Sequence, residues 1–83
     1  MMKLAEKVQK WRIAKAKARK WVFKRDKYRC CKCGSKKNLT VDHIVPESQG
    51  GTLERSNIQT LCRPCNVEKA NTTVDYRKPE HIK

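Results

Sequence analysis

Cys30-Cys31-Lys32-Cys33-Gly34 and Cys62-Arg63-Pro64-Cys65 give the chain two CxxC pairs separated by 28 residues. A two-residue spacing lets adjacent thiolates converge on one tetrahedral ion, so Cys30, Cys33, Cys62 and Cys65 are expected to hold Zn²⁺. Four thiolates leave no open coordination position, which makes that ion structural and not catalytic. The gap between the pairs is longer than in a simple zinc ribbon, so the intervening segment must fold back as a hairpin with the metal at its base. Cys31 is the spare; substituting it for Cys30 leaves a one-residue spacing to Cys33, which fits poorly. A thioredoxin-like redox role calls for one CxxC beside a βαβ pattern, and that pattern is absent.

The need for such a staple follows from size. A chain of 83 residues buries too little apolar surface to be comfortably stable on its own. The cysteine count, five, is odd, and Met1 to Glu6 lack the apolar run of a signal peptide or membrane span. A reducing, cytoplasmic setting without a membrane is the expectation, and there clustered cysteines more often bind metal than form bridges.

Charge is distributed unevenly. Of the net +13, residues 1–29 account for +10, through twelve Lys or Arg against Glu6 and Asp26. A field of this sign is the footprint of a polyanion binder, since neutralised phosphates release condensed counterions; the plain alternative is a solvated basic tail. Leu4, Val8, Trp11, Ala14, Ala18, Trp21 and Val22 recur at helical spacing and predict an amphipathic helix from about Lys3 to Phe23, its apolar stripe packed on a core. The opposite face is basic, and Lys15, Lys17, Arg19, Lys20 and Lys24 are the candidate phosphate contacts. A membrane-surface helix anchored by Trp11 and Trp21 has a similar pattern, but the residues that follow favour DNA.

Leu39, Val41, Ile44 and Val45 read as a short strand stopped by Pro46, and a polar loop with Gly50 and Gly51 follows. Ile58, Thr60 and Leu61 suggest a second strand running into the second cysteine pair. Pro64 suits the first position of a helix continuing from Asn66 to Asn71. Residues 76–83 carry Pro79 and no periodicity, and are expected to be a loose, flexible tail.

Between the cysteine pairs stands Asp42-His43. Alone it is weak evidence, since a lone His is more often a satisfied structural residue than a catalyst. Asn57 precedes the second strand, however, and Asn66 directly follows Cys65. A carboxylate and an amide oxygen brought together there are hard ligands suited to Mg²⁺. The order Asp42-His43-Ile44-Val45-Pro46, Gly50-Gly51, Asn57-Ile58-Gln59-Thr60-Leu61-Cys62, Cys65-Asn66-x-x-Lys69 resembles the HNH endonucleases, in the subgroup with two CxxC knuckles. Arg25-Asp26-x-Tyr28-Arg29-Cys30 resembles that family's lead-in to its first knuckle.

The resemblance implies a small, zinc-stapled α+β domain of the ββα-metal (His-Me finger) fold, here preceded by a long basic N-terminal helix. It divides the chain into a helix over 1–27, a nuclease domain over 28–75 and a tail over 76–83. His43 is then the general base toward the attacking water. Asp42 and Asn66 are ligands of a catalytic divalent ion, Mg²⁺ with tolerance for Mn²⁺ or Ni²⁺ because Asn is a weak neutral ligand. Asn57 holds the loop and orients His43 without touching substrate. DNA is the implied partner, cut by hydrolysis to 5′-phosphate and 3′-hydroxyl ends. A chain this small can serve within a larger phage or mobile-element machine. Neighbouring strand residues face opposite ways, so Asp42 and His43 can share a site only at a bend, a bulge or the strand's end. The competing reading is a non-catalytic zinc-containing DNA-binding module, which leaves Asp42, His43, Asn57 and Asn66 without a task. RNA or protein recognition is disfavoured by the lack of aromatics between the knuckles.

Overall fold

The computed structural model describes residues 4–82, with side chains from residue 13 onward. Helix α1 spans Leu4–Arg25, strand β1 Leu39–His43, strand β2 Ile58–Cys62, helix α2 Arg63–Lys69 and helix α3 Pro79–Ile82. The strands form a two-stranded antiparallel sheet in which Leu39 faces Cys62 and His43 faces Ile58. The expected α+β arrangement, with a hairpin running into a helix, is therefore present. No helix among the described residues is long and apolar enough to cross a membrane.

Every residue of β2 is buried, although a two-stranded sheet ordinarily leaves one face wet. Both of its edges are occupied. On one side it pairs with β1; on the other, Cys31 donates its amide to Thr60 O at 2.8 Å and Asp26 Oδ2 accepts the Thr60 amide at 2.9 Å. The Thr60 hydroxyl also donates to Val22 O, which fixes the C-terminal turns of α1 against the strand.

The apolar stripe of α1 is only partly engaged. Val22 is buried and Ala18 and Trp21 are half-buried, but Ala14 is exposed, so core packing of the whole stripe is corrected. A five-residue strand is only about 17 Å long and gives the last turns of the helix alone something to pack on. Leu4, Val8 and Trp11 lie outside the residues whose side chains are described.

After α1 the chain reverses through Lys27 and Tyr28, both left-handed at φ 57°. The Tyr28 amide closes the turn on Phe23 O, and the reversal delivers Cys30 and Cys31 to β2. The second tight place is Gly51, whose missing side chain leaves room for Val45 O; a Cβ there would overlap that oxygen at 1.6 Å.

The tail is corrected as well. The Tyr76 amide donates to Gln59 Oε1 and Gln59 Nε2 donates to Val74 O, so residues 74–76 are tied to β2. Farther on, α3 buries His81 with its Nδ1 3.8 Å from Cys31 Sγ. Composition concealed this because the docking is polar: one buried glutamine and one histidine carry it, and neither produces a hydrophobic period.

Asp26 is buried and bound by the Arg25 guanidinium at 2.7 and 3.0 Å. Burial pushes its carboxyl up, but the Arg25 and Thr60 hydrogen bonds outweigh that and hold it below the ordinary value of 3.8. A depressed folded-state pKa means stability present above the unfolded value and lost as pH falls through the lower folded one. Asp26→Ala is expected to cost about 3–5 kcal/mol in urea unfolding of zinc-loaded protein near neutrality, because Arg25 keeps a buried charge without its partner. The gap from the parent should narrow once the pH drops below about 4.

Candidate active site and zinc centre

The sulfur atoms of Cys30, Cys33, Cys62 and Cys65 all lie within 4.8 Å of one another. A zinc ion with bonds of about 2.3 Å to a tetrahedron of sulfurs needs sulfur–sulfur edges near 3.8 Å. Cys33 and Cys62 stand 3.6 Å apart, so the four cysteines fit the ion. Burial raises the Cys30 thiol, yet the amides of Cys33, Cys62 and Lys32 more than reverse this and bring it to about 7. Burial and the neighbouring sulfurs push the Cys65 thiol up. Deprotonating all four together therefore calls for a cation among them, as a structural zinc site supplies.

A second buried cluster, Asp26, Cys31 and His81, also brings its ligand-type atoms within 4.8 Å. Most acceptor positions of Asp26 and one ring nitrogen of His81 are already taken. Asp26 accepts two bonds from Arg25 and one from Thr60, and His81 Nδ1 accepts the Lys78 amide at 3.0 Å. Burial, reinforced by Asp26, holds the Cys31 thiol up at about 12. This is a hydrogen-bonded network that latches the C-terminal segment, and the spare cysteine and the histidine assigned to the tail belong to it. Zinc content is expected to be one ion per chain, falling toward zero in Cys62→Ser and unchanged in Cys31→Ser; elemental analysis of purified protein reads both.

Asp42, His43 and Asn66 line one cavity of about 270 Å³, together with Lys15, Glu47 and Asn71. Asp42 and His43 share it because β1 ends at His43; of the three expected devices the molecule uses the strand's end. Asp42 is buried and both its contacts fall on Oδ2, from Gln59 Nε2 at 2.8 Å and Lys69 Nζ at 3.3 Å. Its Oδ1 takes no hydrogen bond from the described residues. The Lys69 ammonium is fully buried and also donates to His43 O at 3.0 Å, which neutralises the carboxylate and pins the end of the strand.

The orientation of the Asn66 amide is settled by its neighbour. Thr40 uses its hydroxyl proton on Leu61 O at 2.8 Å, so its oxygen can only accept, and Asn66 Nδ2 donates to it at 2.9 Å. The amide oxygen of Asn66 is left for the cavity. Asn57 does not line the cavity. Its Oδ1 accepts the Val45 amide at 2.9 Å while Nδ2 donates to Val45 O and Thr52 O, which closes the loop after β1. Among the described residues no hydrogen bond joins it to the His43 ring, so any orienting effect passes through the backbone.

His43 Nε2 is buried without a hydrogen-bond partner among the described residues. Glu47 Oε1 stands 3.3 Å away, near enough to pair with a charged imidazole although not aligned as a hydrogen bond. Glu47 and the ion pair made by Lys69 escaped the sequence analysis. Glu47 carries no signal in the sequence, because its approach depends on the single 3-10 turn Glu47–Gln49.

The basic residues of α1 separate. Lys15 lines the cavity, Arg19 stacks on Phe23 at 5.3 Å, and Lys17, Lys20 and Lys24 share the opposite, exposed side of the helix from Val22.

The model of the HNH endonuclease family matches residues 30–72. The CRISPR-associated endonuclease Cas9 of Corynebacterium diphtheriae is 42% identical over 52 residues, a match that covers 58% of this chain. The chain spans only 5% of the length of that protein. No solved structure gives a significant match. With the family model covering half of the chain and the paired cysteines gathered into one cluster, the protein belongs to the HNH endonuclease family.

Proposed function

We propose that the protein is a metal-dependent DNA endonuclease whose centre is the cavity lined by Asp42, His43 and Asn66. One observation carries this reading. Asp42, His43 and Asn66 line the same space, the Asn66 amide spends its nitrogen on Thr40, and His43 Nε2 has no hydrogen-bond partner among the described residues; a DNA-binding module has no use for that combination. The donor set of one carboxylate and one amide oxygen fits a hard divalent ion such as Mg²⁺ or Mn²⁺. When bound, that ion supplies positive charge to the scissile phosphate and to the departing 3′ oxygen.

The remaining work falls to the chain. His43 Nε2 takes a proton from water as the water oxygen bonds to phosphorus and the bond to the 3′ oxygen breaks. The products carry a 5′ phosphate and, after protonation from solvent, a 3′ hydroxyl. Glu47, 3.3 Å from Nε2, must yield that position to the water and then faces the charged imidazole. Asn57 holds the loop that follows His43. Lys15, which lines the same cavity, meets the phosphate strand in this reading. Residues 28–75 are the proposed nuclease unit, within a reducing cytoplasm.

Zinc-loaded parent protein with Mg²⁺ or Mn²⁺ is expected to nick or linearise supercoiled plasmid. His43→Ala, with zinc content intact, should lose about 10²- to 10⁴-fold in rate. If parent and variant both bind DNA and neither cuts it under any divalent ion, a non-catalytic zinc-containing DNA-binding module is the correct description. Thr40→Val separates a positioning role from a merely structural one. It leaves the fold and zinc in place but unpairs Asn66 Nδ2, so the metal concentration for half-maximal cleavage should rise about 10- to 100-fold.

A further inference from the structure

On the flank of α1 away from Lys15, Trp21 stands between two cavities, of about 170 and 270 Å³, and Arg55 lines both. Lys17 lines the smaller one. The larger is lined by Arg25, Arg77 and the Ser56 hydroxyl beside Arg55. Among the described residues no acidic side chain lines either cavity, in contrast to the one holding Asp42 and Glu47.

The cations there are not equivalent. Arg25 is committed to Asp26, and Arg77 to Asp75 at 2.8 Å. Arg55 is exposed and has no carboxylate partner among the described residues; its guanidinium lies 4.6 Å from the Trp21 ring centroid. Arg25 also stacks on that ring, at 5.1 Å. Two guanidinium groups on one indole repel each other, and the arrangement gains most when an anion sits beside them. Stacking holds the Arg55 fork in place while leaving its N–H groups free, a pre-organised form for a bidentate bond to phosphate. The backbone contributes position: Arg55 is two residues before Asn57, the residue that clamps the loop after His43, and Arg25 is bonded to Arg55 O and Ile58 O.

We infer that Arg55, held on Trp21 and assisted by Lys17, binds a backbone phosphate of the DNA substrate away from the scissile bond, forming a second anchor on the opposite flank of α1 from the catalytic cavity. The inference rests on the DNA-cleaving reading above. It also shifts the grip on DNA from the helix alone to the junction between the helix and the loop leading into β2.

The test measures fluorescence anisotropy of a labelled duplex with the full, zinc-loaded chain carrying His43→Ala, so that the DNA stays intact, across a salt series. Adding Arg55→Ala is expected to weaken binding on the order of tenfold and to reduce the slope of log K against log salt by about one. Arg55→Lys, which keeps the charge and loses the fork, should fall between. Lys36→Ala removes an exposed cation that lines neither cavity and should change little. If Arg55→Ala behaves like Lys36→Ala, the anchor is overturned and the nuclease reading stands. If the chain with Arg55 intact shows no salt-dependent binding to DNA, both fall together.

Discussion

The gathering of four cysteine sulfurs at one point governs everything else in this small molecule. Cys30, Cys31, Leu61, Cys62 and Cys65 form the buried cluster, with Leu39 and Tyr76 packed against it. Most of that cluster is sulfur, and few large apolar side chains are buried elsewhere. A metal at the cysteines therefore supplies what the core lacks, since a structural zinc contributes on the order of 10 kcal/mol or more to folding. Its position matters as much as its strength. Cys62 closes β2 and Cys65 lies in the first turn of α2, so an ion held by both would fix the angle between strand and helix. Asn66, the next residue, is placed by that angle.

Around this fixed point the molecule is wired by polar groups instead of apolar packing. Gln59 bonds Asp42, Val74 and Tyr76; Asp26 bonds Arg25 and Thr60; Lys69 bonds Asp42 and His43. Each of these side chains is buried, and each is satisfied. Burial makes an unpaired polar group costly, so such a network tolerates few alternative arrangements. It explains how a domain with so little hydrocarbon can hold Asp42 and Asn66 in fixed orientations. The exception is His43 Nε2, buried and without a hydrogen-bond partner among the described residues, on a side chain that lines the cavity. An unsatisfied group in an otherwise complete network is the expected mark of a position reserved for chemistry.

The C-terminal segment illustrates the limits of pattern. Nothing periodic distinguishes residues 76–82, yet Tyr76 and His81 are held by Gln59 and the Asp26–Cys31 pair. Those partners are 17 and 50 residues away in sequence, and beside the Tyr76 ring on the cysteine cluster each contact is one polar pair. The opposite occurred on α1, where a convincing apolar stripe is only half used because the sheet beneath it is short.

What the sequence determined by itself is the part set by local spacing. The CxxC pairs specify one tetrahedral centre, Pro46 and Pro64 mark where a strand stops and a helix begins, and Asp42-His43 with Asn66 marks where a carboxylate, an imidazole and an amide line one cavity. These follow from bond lengths and backbone constraints that act within a few residues. Only the tertiary structure decided that Asn66 presents its oxygen, because that depends on Thr40 having given its proton to Leu61. It likewise decided that Lys69 neutralises Asp42, that Glu47 faces His43 and that Arg55 lies on Trp21. Each of these contacts joins residues whose distance in space is set by how strand, turn and helix pack, and a one-dimensional pattern carries no record of that distance.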